Sequence, residues 1–127
     1  MSITTRKRPT FFNLAQITLP VGALASIAHR IAGMLLALGT PLAIWLLDLS
    51  IRSEAGYARV DALFGNPLFQ AASLIFIWAL AHHLLAGIRH LLMDADLGSQ
   101  LQTARRSAWL VNLGGVAVML LALGAMW

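Results

Sequence analysis

The stretch HHLLAGIRH (82–90) gathers three of the chain's four histidines and an arginine inside an otherwise apolar run. On a helix His83, Gly87 and His90 fall at i, i+4 and i+7 on one face, Ala79 and Ala86 continue it, and His82 points about 100° away. A second patch, SIAHRIAG (26–33), sets Ser26, His29, Arg30 and Gly33 at i, i+3, i+4 and i+7. A charge at mid-bilayer costs roughly 2.5–3.5 kcal/mol, and a neutral imidazole or an interfacial group less. A neutral imidazole at depth needs a partner for its lone pair, and a metal or haem iron is the strongest available. Gly87 and the alanines leave room for a flat macrocycle, while His90, Arg89 and Arg30 lie nearer the surface, where acidic propionates would want cations. Plainer readings stand beside this one. Small residues in membrane helices pack helices closely, a buried histidine serves as a hydrogen-bonding core residue, Arg30 anchors a helix at the interface and Ser26 caps it. His82 is read as a packing or interhelical hydrogen-bonding residue.

These patches need apolar elements to carry them, and the composition supplies little else. The 127 residues are 59% hydrophobic and 11% charged, with a mean hydropathy of +0.77, outside the range of ordinary soluble domains. One small integral membrane domain, 1–127, is expected. A net charge of +4 on so apolar a chain gives no reason to expect a nucleic-acid partner. The absence of cysteine excludes disulfides, cysteine-ligated iron–sulfur clusters and a thiol nucleophile within this chain.

About 20 helical residues cross the hydrocarbon core, and three stretches are long enough: roughly 27–47, 68–92 and 108–127. Residues 48–67, with Gly56 and Gly65-Asn66-Pro67, read as the first connection, Ser53 capping a short surface helix. Residues 94–107 read as the second. Residues 1–25 are expected to form a cytoplasmic interfacial segment, with Phe11, Phe12, Leu14 and Ile17 on its apolar side. Arg6-Lys7-Arg8 ahead of Ala23-Leu24-Ala25 also resembles a cleavable leader, but Asn13, Gln16 and Pro20 interrupt its apolar core. Positive charge orients the chain: Arg6, Lys7, Arg8, Arg30, Arg89, Arg105 and Arg106 gather on one side, against Arg52 and Arg59 on the other. The N-terminus is expected in the cytoplasm and the C-terminus outside. Trp45, Trp109 and Trp127 fall near span ends, whereas Trp78 reads as packing.

SIAHRIAG resembles a Ser-x-x-His-Arg-x-x-Gly signature, and HHLLAGIRHLLMD a His-x-x-x-Gly-x-Arg-His-x-x-x-Asp signature, of the cytochrome b556 membrane subunits of succinate dehydrogenase, respiratory complex II. The resemblance runs from Arg8-Pro9 through Leu19-Pro20 to RRSA (105–108). It implies an all-α membrane anchor of three transmembrane helices, packed with a partner membrane subunit in a bacterial inner membrane. By similarity, His83 is an axial ligand of a haem b shared with that second small subunit, which supplies the other ligand. His29, Arg30 and His90 lie near the propionates. Ser26 and Arg30 line the ubiquinone site, close to the iron–sulfur subunit, through which the flavoprotein subunit delivers electrons. Arg89 and Asp94 are supporting positions. Succinate oxidation belongs to the flavoprotein, so this chain alone is not expected to perform it.

The residue chemistry agrees with that implication. Reducing a quinone takes two electrons and two protons, so a site must donate to the ring carbonyls and stabilise developing negative charge. A serine hydroxyl and a permanently charged guanidinium do both. Two departures touch fine tuning: Ala32 stands where relatives often carry a hydroxyl, and RPTFFNL lacks a Ser-Pro-His found in many of them. The alternatives are a haem-free structural anchor of the same complex, or a small membrane protein whose histidines and Arg30 line a proton or ion path.

Overall fold

The computed structural model describes residues 18–126, and within them the chain is all helical. The elements are α1 (Val21–Arg52), α2 (Glu54–Leu63), α3 (Pro67–Asp94) and α4 (Leu101–Ala125). α1, α3 and α4 are long and apolar enough to cross a membrane. The stretches expected at 27–47 and 68–92 lie inside α1 and α3, and most of 108–127 lies in α4. Residues 1–17 and Trp127 are outside the described residues. With them lie most of the interfacial segment, the leader-like alternative and the Arg6-Lys7-Arg8 cluster; residues 21–25 already belong to α1.

Local chemistry fixes where each helix starts and stops. α1 has 32 residues, roughly 48 Å at 1.5 Å per residue, more than a hydrocarbon core of about 30 Å requires. It ends where Ser53 turns extended, with φ −166° and ψ 159°. As expected, Ser53 caps α2: its Oγ accepts the Gly56 amide at 3.0 Å, satisfying one of the orphan donors of a helix start. Gly56 lies against the Leu49 carbonyl so closely that a Cβ would overlap it, and this absence of a side chain lets α2 fold back on α1. Asn66 opens α3, its Oδ1 accepting from the Leu68 amide at 2.8 Å, with Pro67 at the first helical position, where a missing N–H costs nothing. α3 ends in a Schellman turn: the Leu97 amide reaches the Leu92 carbonyl at 2.8 Å and the Asp96 amide the Met93 carbonyl at 3.0 Å. Asp96 takes the left-handed position at φ 58°, which a short polar side chain tolerates. The second connection is shorter than the expected 94–107, because α4 begins at Leu101.

α3 packs between α1 and α4, antiparallel to both. The buried apolar residues are Ala25, Ala32, Ala79, Ala86, Ala108 and Val111, while Leu38 and Leu121 are 80% and 75% exposed. Small residues therefore line the helix contacts and large ones face outward. That distribution suits lipid, where leucine gains nothing by turning inward and association depends on close backbone approach.

Candidate functional site

The antiparallel pairing of α1 and α3 brings the two sequence patches together at one end of the bundle. The His29 ring stacks on His83 with centroids 4.2 Å apart and planes 26° from parallel. It also stacks on His90, at 5.1 Å and 22°. The rings therefore meet face to face, with in-plane nitrogens that do not converge, and no group of three or more potential ligands forms a metal cage among the described residues.

Hydrogen bonds fix the tautomers. His83 Nδ1 donates to the His29 carbonyl at 3.2 Å, and His90 Nδ1 donates to the Ala86 carbonyl at 2.6 Å. A carbonyl only accepts, so both rings carry their proton on Nδ1 and, when neutral, keep a lone pair on Nε2. His29 Nε2 is buried with no hydrogen-bond partner among the described residues.

Two glycines make this contact possible, and they work reciprocally. Gly33 stands four residues after His29, and a Cβ there would lie 3.1 Å from His83 Cε1 and 3.4 Å from its Nδ1. Gly87 stands four residues after His83, and a Cβ there would come 3.9 Å from His29 Nε2. Each helix thus offers a His-x-x-x-Gly segment whose glycine receives the other helix's histidine. The His29 carbonyl is also the natural helical acceptor of the Gly33 amide, so His83 approaches it from the side through the gap left by Gly33.

The remaining candidates take other directions. Ser26 lies half-buried one turn before an exposed Arg30, inside α1 rather than at its cap, which is Pro20. Arg30 forms no ion pair among the described residues, where the pair found joins Arg52 to Asp48. Arg89 turns toward α4: its Nε donates to Ser107 Oγ at 3.0 Å and its Nη2 to the Ala104 carbonyl at 3.2 Å. Asp94 is the exposed last residue of α3.

His82 is 1% exposed, and its Nε2 lies 3.0 Å from Asn112 Oδ1 of α4, with Trp78 tilted beside it at 5.3 Å. It is thus the interhelical hydrogen-bonding residue expected. Its partner was missed in the sequence, although a lone asparagine in an otherwise apolar span carries the same signal as the histidines. The His29 carbonyl was missed as well, because backbone acceptors leave no trace in side-chain spacing. Of two clefts, one of about 550 Å³ is lined by Leu38, Leu42, Phe69, Phe76 and Met126. The other, of about 360 Å³, opens beside Arg89 and Ser107; neither is lined by His29, His83 or His90.

Comparison with known proteins gives a consistent result. Residues 4–122 match the family model described as succinate dehydrogenase/fumarate reductase transmembrane subunit. The succinate dehydrogenase cytochrome b556 subunit of Paracoccus denitrificans is 34% identical over 116 residues, 91% of this chain and 89% of that protein. The protein of the same name from Coxiella burnetii is 35% identical over 122 residues, covering 95% and 96%. The cytochrome b560 subunit of Reclinomonas americana is 29% identical over 109 residues, covering 82% and 76%.

Proposed function

Because the chain belongs to the succinate dehydrogenase/fumarate reductase transmembrane subunit family, we propose that it anchors a succinate:ubiquinone oxidoreductase in the bacterial inner membrane, holds haem b through His83 and helps form the ubiquinone site. The observation that carries this reading is the hydrogen bond from His83 Nδ1 to the His29 carbonyl. Histidines that ligate metals characteristically donate their other ring N–H to a carbonyl or carboxylate, which fixes the ring and leaves the second nitrogen as a basic donor. The surroundings fit the group. Gly33 and Gly87 let the imidazoles seat close against the facing helices, and the buried, unpartnered Nε2 of His29 supplies a polar atom that an acidic propionate would satisfy. His90 and Arg30 would assist it.

When bound, haem b would supply reversible one-electron exchange, held by His83 of this chain together with a residue of a companion membrane subunit. This chain's own residues do the rest. His83 keeps its Nδ1 proton on α1 and holds its ring plane. Ser26 and Arg30, one turn apart near the cytoplasmic end of α1, act on ubiquinone: the hydroxyl donates to a ring carbonyl, and the guanidinium stabilises negative charge as the ring accepts electrons. The iron–sulfur subunit docks at that face and the flavoprotein oxidises succinate beyond it. Arg89, held on α4, supports the position of α3, and Asp94 lies at the same end.

The test is a reduced-minus-oxidised spectrum of purified complex carrying His83→Ala. The α-band of the b-type haem is expected to disappear, with succinate–dye reductase activity retained by the soluble subunits. An unaltered band refutes ligation by His83, and a wild-type complex without any band leaves a haem-free anchor.

A further inference from the structure

Adjacent residues of α3 make polar contacts with its two neighbours, about two turns before Arg89 bonds to Ser107 and the Ala104 carbonyl of α4. His83 reaches α1 through the His29 carbonyl at 3.2 Å, and His82 reaches α4 through Asn112 at 3.0 Å. Consecutive helical residues project about 100° apart, so turning α3 about its axis to lose one contact displaces the other. Around these residues α3 meets its neighbours mainly through small residues, with Leu85 seated over Gly114 of α4. Ala79 and Ala86 are buried, and Gly115 of α4 sits where a Cβ would be 3.1 Å from His82 Cβ. Such contacts permit close approach but resist rotation and sliding weakly, and lipid adds no hydrophobic force to hold a register. A directional bond between buried polar groups does, as polar residues fix register in helical assemblies. His82 Nδ1 is buried without a partner, so the ring's bond to Asn112 is its side-chain tether among the described residues.

We infer that His82 and Asn112 are positioning residues for the haem ligand: their hydrogen bond sets the rotation of α3 and thereby aims His83. This rests on His83 being the ligand, and it goes further by giving a role to two residues that do not touch the haem. Asn112 stands on α4 three residues before Gly115, so the glycine admits the helix and the amide fixes its angle.

The experiment uses the purified complex with Asn112→Leu, His82→Leu and His82→Gln, alongside His83→Ala. Gln places an amide N–H near the position of imidazole Nε2 and so keeps the donor. Haem content, the haem midpoint potential from optical titration and the low-spin electron paramagnetic resonance g-values are read, since the last two follow the geometry of the axial ligands. The leucine variants should retain haem with a shifted potential and shifted g-values, and His82→Gln should return both toward wild type. A purely structural role lowers the yield or melting temperature and leaves the potential and g-values in place. If those are unchanged in both leucine variants while His83→Ala loses its haem, the positioning role is overturned and the ligand assignment stands. Retention of haem by His83→Ala overturns both. Should leucine block assembly, Asn112→Ala removes the acceptor by deletion of volume alone and is read by the same criteria.

Discussion

Replacing Gly33 with alanine puts one methyl group against the ring of His83. The new Cβ would stand 3.1 Å from Cε1 and 3.4 Å from Nδ1, whereas carbon atoms rest at about 3.5–4.0 Å. The ring must retreat by about 0.4 Å or more. His83 Nδ1 lies 3.2 Å from the His29 carbonyl, near the long end of hydrogen bonding, so the same retreat along that line opens the bond to about 3.6 Å and breaks it. Losing the bond removes about 0.5–1.5 kcal/mol, and overpacking costs about 1–3 kcal/mol. Alanine's better helix propensity returns up to about 1 kcal/mol. The net destabilisation is roughly 0.5–3.5 kcal/mol, delivered to the bond that tethers His83. Gly124 provides the control, since a Cβ there meets nothing within 4 Å. Thermal denaturation and the haem spectrum of the two variant complexes form the assay. Gly33→Ala should melt lower and show an altered b-type spectrum, and Gly124→Ala neither. A Gly33→Ala complex that matches wild type in both would falsify the claim that this glycine makes the space in which His83 is held.

Other expectations follow from the same geometry. Ser26→Ala should raise the KM for ubiquinone roughly 2–10-fold and Arg30→Leu roughly 10–100-fold, the ranges set by a neutral and a charged hydrogen bond. Succinate–dye reductase activity should stay level in both; a parallel fall in dye reduction would place the lesion in assembly instead. Arg89→Leu removes the bonds to Ser107 and Ala104 and should lower the melting temperature of the complex by loosening α3 from α4, an idea that an unchanged melting curve would exclude. Gly56→Ala forces a methyl group into the Leu49 carbonyl. It should cost about 1–3 kcal/mol, seen as reduced assembled complex, and normal yield and melting would show that α2 can shift at no cost.

Much of the architecture was legible because hydropathy in a membrane chain reports length directly: runs of leucine, isoleucine and alanine mark out α1, α3 and α4. Ser53 as a cap and His82 as an interhelical residue were also readable, the first from hydroxyl chemistry at a helix start and the second from its angle to His83. The ends of α4 were harder to place. Arg105 and Arg106 interrupt the apolar pattern of residues that are nonetheless helical, since a helix satisfies its own backbone on either side of the interface and charge does not stop it. Arg89 shows a further limit. Its type suggested a cation for acidic groups, yet its hydrogen bonds go to α4, because an arginine's long stem lets its head settle a full side-chain length from its backbone. The stack of His29 between His83 and His90 depends on how two helices face each other, which spacing along either one does not specify.

The interior built from alanine and glycine has a practical consequence for mapping this protein by mutation. Scanning with alanine works by deleting volume, and here the most informative positions have almost none to delete: Ala25, Ala32, Ala79, Ala86 and Ala108 are silent in such a scan, while the outward leucines can be trimmed with little effect on helix contacts. The informative experiment runs in the opposite direction, adding bulk one position at a time. Its pattern of intolerance would trace the lines along which α3 touches α1 and α4, so the contacts are best found by asking where nothing more will fit.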